Sequence, residues 1–213
     1  MFQGMSLVWM ALSAVIAYFC GGVNGAILIS KCFFKEDVRT KGSGNAGLTN
    51  FFRSYGGWST FLVMAVDMLK TVAAAFGAGW MLASFGYYRE GLVLGAVLVS
   101  LGHDFPALLG FKGGKGILCG FTAALILDWR IALIMLGVFV VAFAITRYVS
   151  LGSVLGAMTC AVGFGVVYYG DWIVMAGGIF IGLLAIYMHR SNIGRLIKGT
   201  ESKVHLIHRD LNK

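Results

Sequence analysis

At 213 residues, 59% of them hydrophobic and only 12% charged, the chain carries more apolar surface than a water-soluble domain can bury. It reads as an all-α integral membrane protein forming one domain over 1–213. The net charge of +8 would suit nucleic acid, but membrane proteins gather Lys and Arg on their cytoplasmic side for topological reasons, so no nucleic-acid partner is called for.

The first apolar run, 7–29, lacks a basic n-region and a small-residue cleavage site, so it reads as a retained span. Its Gly21, Gly22 and Gly25 permit close helix packing. Further spans are expected over 58–85, 91–111, 113–127, 131–146, 154–169 and 172–188, seven in all. The fourth has only 117–127 as an unbroken apolar run, well short of the ~20 residues a full crossing needs unless the preceding glycines join it. Cys20, Cys32, Cys119 and Cys160 stand singly, without a CxxC pair, and read as small apolar core residues.

The basic residues agree with seven crossings. Lysines 31, 35, 41, 112 and 115, arginines 39, 53 and 147 and the six basic residues of the tail all fall on one side. Only Arg89 and Arg130 fall on the other, and Lys70 lies inside a span. The positive-inside rule then puts the amino terminus outside and the carboxyl terminus in the cytoplasm. Every polar, glycine-rich segment lands on the cytoplasmic face, as expected for one site assembled between helix ends.

Those segments have the chemistry of an anion site. In GSGNAGLTNFFR, 42–53, the side chains of Ser43, Asn45, Thr49 and Asn50 can bond to phosphate or hydroxyl oxygens, and Arg53 falls on the face of Thr49 and Asn50. Ser43 or Asn45 could instead be a helix N-cap. In GHDFPALLGFKGGKG, 102–116, Lys112 and Lys115 supply charge, while Gly113 and Gly114 let backbone N–H groups converge on phosphate oxygens. His103 is a base, a phosphate donor or a structural residue. Asp67 and Lys70, spaced i, i+3 inside a span, must pair or face a wet cavity, and Lys70 is a phosphate ligand if it reaches the site. Ser150 and Ser153 are helix caps or phosphate ligands, and His189 and Asn192 share a face at the last span's end. A metal is not indicated: His205 and His208 make a poor pair in the tail, and the H-x-x-x-x-D pattern of His205 and Asp210 reads as chance.

With these residues laid out, the chain resembles the PlsY family of bacterial membrane glycerol-3-phosphate acyltransferases. GSGNAGLTNFFR, GHDFPALLGFKGGKG, and YVSLGS at 148–153 with HRSNIGRLIKGTE at 189–201 look like that family's three motif regions in order and spacing. Leu48, Thr71 and Ile117-Leu118-Cys119 depart from its usual pattern. The resemblance implies seven helices in the bacterial inner membrane and transfer of an acyl group from acyl phosphate to the sn-1 hydroxyl of glycerol 3-phosphate. It implies no CoA, acyl carrier protein, metal or other cofactor; membrane lipid is the expected surroundings and a monomer the expected state. Arg53, Lys112 and Lys115 would then neutralise phosphates, and Ser43, Asn45, Ser150 and Asn192 would orient them. His189, or less directly His103 or a substrate phosphate, would take the hydroxyl proton. The competing class, a transporter of a phosphorylated metabolite, calls for repeated halves and midplane polar residues, which the sequence does not display.

Overall fold

A computed structural model describes residues 2–204, so the patterns at His205, His208 and Asp210 lie outside the described residues. All regular structure within that range is helical.

The apolar run over 7–29 predicts one span, but the chain breaks within it. Helix α1 (Phe2–Gly22) and helix α2 (Gly25–Phe34) meet at 43°. Asn24 causes the break by taking an extended conformation, its Oδ1 accepting from the Ile27 amide at 3.0 Å as the N-cap of α2. Such a break frees carbonyls at the end of α1 and an amide at the start of α2, where the bilayer offers them no water. Helix α4 (Ser59–Ala83) answers both. The Lys70 ammonium donates to the carbonyls of Gly21 at 3.1 Å and Val23 at 2.5 Å, and Asp67 Oδ1 accepts from the Gly25 amide at 3.1 Å. The two charges lie 2.8 Å apart and are almost wholly buried. The intramembrane ion pair is therefore the partner of the broken helix.

Helix α5 (Tyr88–Asp104) packs against α1 and α4. The approach of α1 to α5 depends on glycine at two places: a Cβ at Gly21 would overlap the Val99 carbonyl, and one at Gly102 the Tyr18 carbonyl. Helices α7 (Trp129–Thr146), α8 (Val149–Val167) and α9 (Trp172–Met188) pack in sequence. Helix α6 (Ile117–Leu127) touches α4, α5, α7 and α9, and a core including Ala75, Ala96, Ala123, Met135, Phe164 and Ile181 joins the two groups.

Among the described residues, four helices, α4, α5 with the following turn, α7 and α8, are long and apolar enough to cross a membrane, and the bent pairs α1–α2 and α9–α10 (Arg190–Ile197) bring the total to six. Helix α6 has eleven residues, about 16 Å of rise against the ~30 Å of a bilayer core. The expected fourth span over 113–127 thus needs correction: Gly116 is left-handed at φ 66°, which stops the helix from extending back through the glycines. The sixth helix, expected from 154, starts at Val149 and so takes Ser150 and Ser153 into its first turns.

Replacing either Asp67 by Leu or Lys70 by Met should lower stability by about 3–5 kcal/mol, as expected when one partner of a buried pair is removed. The double variant should not recover it, because the carbonyls of Gly21 and Val23 and the amide of Gly25 stay unpaired. Thermal unfolding in one detergent checks this; a double variant as stable as the parent would contradict it.

Candidate functional site

Four segments distant in sequence close around a cavity of about 300 Å³. The first is the loop leading into helix α3 (Leu48–Tyr55), which contributes Ser43, Asn45, Thr49, Asn50 and Arg53. Asn50 holds that loop in shape. Its Nδ2 reaches the carbonyls of Val38, Lys41 and Asn45 at 3.0–3.1 Å, and its Oδ1 accepts from the Ser43 amide at 2.9 Å. With both amide atoms engaged, Asn50 is a loop clasp rather than the free ligand donor its position suggests. Gly47 starts α3 with no side-chain cap, so neither Ser43 nor Asn45 caps the helix and both side chains line the cavity.

The second segment is the glycine loop, and its contribution differs from the sequence expectation. The Gly113 and Gly114 amides donate to the Asp104 and His103 carbonyls at 3.3 and 3.0 Å, satisfying the end of α5. Neither glycine lines the cavity; Lys115, Gly116, Ile117 and Leu118 do. The start of α6, which has no side-chain cap, therefore stands where an anion would be favoured by the helix amides and dipole. Lys112 is exposed and off the cavity. Lys70 lies off the cavity too, its ammonium already engaged at the helix break.

Ser150 and Ser153 come from α8, and His189, Asn192, Arg195 and Glu201 from the junction of α9, helix α10 and the chain beyond it. Lys115 Nζ donates to Asn192 Oδ1 at 2.5 Å, Asn192 Nδ2 to Glu201 Oε1 at 2.8 Å, and Arg195 Nε to Glu201 Oε2 at 2.6 Å. The Ser150 hydroxyl faces Glu201 and helps keep it ionised, though without a hydrogen bond of full geometry. Ser153 donates to the Val149 carbonyl at 2.9 Å, so its oxygen can only accept from a ligand. Arg53 Nη2 donates to the Ser202 carbonyl at 3.0 Å, tying the last described residues over the site. Arg195 and Glu201 were not among the sequence-predicted site residues; an acid set among the basic residues of the tail was the signal available for Glu201.

His189 is 4% exposed, and its Nδ1 lies 2.8 Å from the Ala185 carbonyl. A carbonyl only accepts, so Nδ1 carries a proton and Nε2 of the neutral ring is an acceptor at the cavity. Asp67, His103 and Cys119 come within 4.8 Å of one another, a spacing that could hold a metal, but the Lys70 ammonium stands 2.8 Å from both Asp67 and His103. That ammonium is the cation of the cluster.

Charge and apolarity divide the cavity. Arg53, Lys115 and Arg195 outnumber Glu201, and Asp67 is matched by Lys70. Burial is the main reason that Lys115 sits down at about 8; Arg195 and Arg53 push the same way and Glu201 opposes them. Burial raises the Glu201 carboxyl, but hydrogen bonds from Asn192 and Arg195 outweigh it and hold the group below its ordinary value. One part of the wall is apolar: Leu118 and Phe121 of α6 and Met135, Leu136 and Phe139 of α7 line it, with Val149, Gly152 and Gly156 of α8 beside them.

A cation-lined chamber continuous with an apolar wall between such helices has the shape and chemistry that suit an amphiphilic anion in a membrane protein. The family pattern of glycerol-3-phosphate acyltransferase matches residues 11–199. A glycerol-3-phosphate acyltransferase of Finegoldia magna is 38% identical over 94% of this chain and 98% of its own. One from Clostridioides difficile is 38% identical over 90% and 93%. Among solved structures, PlsY, an integral membrane glycerol 3-phosphate acyltransferase, superimposes in its glycerol 3-phosphate form with a TM-score of 0.82 at 33% identity, covering 92% of this chain and 96% of that one. Its lysophosphatidic acid form gives 0.80. The chain belongs to the glycerol-3-phosphate acyltransferase family, in its PlsY branch, and is an integral membrane protein.

A phosphate ligand held by Lys115 should bind more weakly as pH rises through about 8, where the ammonium loses its proton. Lys115→Arg should flatten that dependence over the same range. Titration of inorganic phosphate or glycerol 3-phosphate by calorimetry from pH 6.5 to 9.5 checks it; identical profiles for both proteins would contradict it.

Proposed function

We propose that this protein transfers an acyl group from acyl phosphate to the sn-1 hydroxyl of glycerol 3-phosphate, yielding 1-acyl-glycerol 3-phosphate and inorganic phosphate. The observation that carries the reading is the meeting of an acceptor nitrogen, His189 Nε2, with three cations and an apolar slot in one cavity of a chain from this family. The acyl chain lies in the slot walled by Leu118, Phe121, Met135 and Phe139. Phosphate groups lie between Arg53, Lys115, the start of α6 and the polar side chains of Ser43, Asn45 and Asn192.

His189 Nε2 takes the hydroxyl proton as the sn-1 oxygen bonds to the acyl carbon. The bond from that carbon to the phosphate oxygen then breaks, and phosphate leaves with the electron pair. Because the mixed anhydride has a good leaving group, the protein contributes mainly proximity and charge stabilisation. The donor carries its own activation, so neither CoA nor a metal enters a step. All these groups come from one chain, and a monomer suffices.

The concentration of basic residues at the site end supports seven crossings. In that arrangement α6 is a short fourth span, the amino terminus is outside and the site faces the cytoplasm of a bacterial inner membrane.

Purified protein in lipid nanodiscs should release phosphate from palmitoyl phosphate only when glycerol 3-phosphate is present, give the sn-1 ester and leave palmitoyl-CoA untouched. His189→Ala should lower kcat by about a hundredfold or more, the usual loss on removing a general base. Lys115→Ala should impair binding more than Lys112→Ala does. Turnover with palmitoyl-CoA alone would contradict the donor, and near-normal kcat in His189→Ala would remove its role. Glycerol 3-phosphate accumulating in vesicles without ester formation would point to transport.

A further inference from the structure

We propose that Lys70, itself held by Asp67, is a positioning residue that fixes His103 as a hydrogen-bond donor through Nε2 to a phosphate oxygen of the ligand. The kinetic part of this inference rests on the acyl-transfer reading; the chemical state of the ring does not.

Lys70 Nζ lies 2.8 Å from His103 Nδ1, and both side chains are buried. An ammonium has no lone pair to offer, so Nδ1 must be the acceptor. Asp67 Oδ1, at 3.7 Å from that nitrogen, is beyond hydrogen-bond reach and cannot hold a proton there. A neutral imidazole whose Nδ1 accepts carries its proton on Nε2. The imidazolium is excluded by the same neighbour, because two cations at this separation repel strongly once removed from water. The Lys70 position is independently fixed by the Gly21 and Val23 carbonyls and by Asp67.

Nε2 is also the atom that meets the glycine loop. A Cβ at Gly114 would overlap it, so glycine there makes room for the ring, and His103 is itself one of the residues that line the cavity. The two histidines thus carry opposite roles set by what their Nδ1 atoms touch. A carbonyl at His189 leaves Nε2 an acceptor, and an ammonium at His103 leaves Nε2 a donor.

The test is a long-range proton–nitrogen NMR spectrum of protein labelled with 15N-histidine in micelles, with His103 assigned by its loss in His103→Gln. The expected spectrum has Nε2 protonated and Nδ1 bare. The Hε2 resonance should move on adding glycerol 3-phosphate or a palmitoyl phosphonate separately, and whichever moves it identifies the substrate whose phosphate is bound. In the acyl-transfer assay His103→Gln, which keeps an N–H donor, should stay within about tenfold of the parent, while His103→Leu should lose about a hundredfold, as for removal of one preorganised donor. If Lys70→Met folds, its His103 should also populate the Nδ1–H form. An Nδ1–H tautomer in the parent, no shift with either ligand, or equal losses in the Gln and Leu variants would overturn the inference. A ligand-induced Hε2 shift in a protein without acyl transfer would instead overturn the reaction and leave the donor standing.

Discussion

A helix that breaks within an apolar layer must have its freed backbone groups satisfied by another element, and here one ion pair does so. Asp67 and Lys70 close the gap between α1 and α2, and their charges are tolerated at that depth because each has backbone as well as the other to bind. The consequences extend outward. Asn24, which makes the break, donates to the Ala46 carbonyl at 2.9 Å and so holds the loop bearing Ser43 and Asn45. Lys70 holds His103, whose carbonyl accepts the Gly114 amide and places the glycine loop. Two of the four segments around the cavity are therefore positioned from the same fault in the first span.

The glycine loop acts on the cavity at one remove. Gly113 and Gly114 use their amides to complete α5, so they build the corner that brings the start of α6 and Lys115 to the cavity. The shortness of α6 follows from the same corner, since its left-handed Gly116 ends the helix where the cavity begins. On the other side Asn192 links Lys115 to Glu201, so a carboxylate moderates three neighbouring cations without cancelling them. The chain beyond α10 is held at the cavity through the bond from Arg53 to the Ser202 carbonyl.

Much of this was legible in the sequence because it rests on composition. Long apolar runs give helices wherever backbone groups must bond internally, and the segregation of Lys and Arg collected the polar segments at one end, where Ser43, Asn45, Arg53, Lys115, Ser150, His189 and Asn192 do meet. The break at Asn24 was not legible, because a hydropathy window averages one polar residue into its apolar neighbours. Long-range partners were equally hidden. Nothing local says that Asn50 will fold back on Val38 and Lys41, or that the Lys70 ammonium will find the Gly21 and Val23 carbonyls rather than a phosphate. Lys112 and Lys115 look alike in KGGKG; only the turn at Gly113 and Gly114 sends one to solvent and the other to the cavity.

The central claim is that one chamber between Arg53, Lys115 and the start of α6 receives the phosphate of glycerol 3-phosphate, with the reacting hydroxyl turned toward His189. A structure of this protein determined with glycerol 3-phosphate bound tests it most directly. The account predicts phosphate density within hydrogen-bond reach of Arg53, Lys115 and the first amides of α6, and a hydroxyl beside His189 Nε2. Phosphate bound instead at Lys112 on the exposed side of the loop, with the chamber holding none, would contradict it.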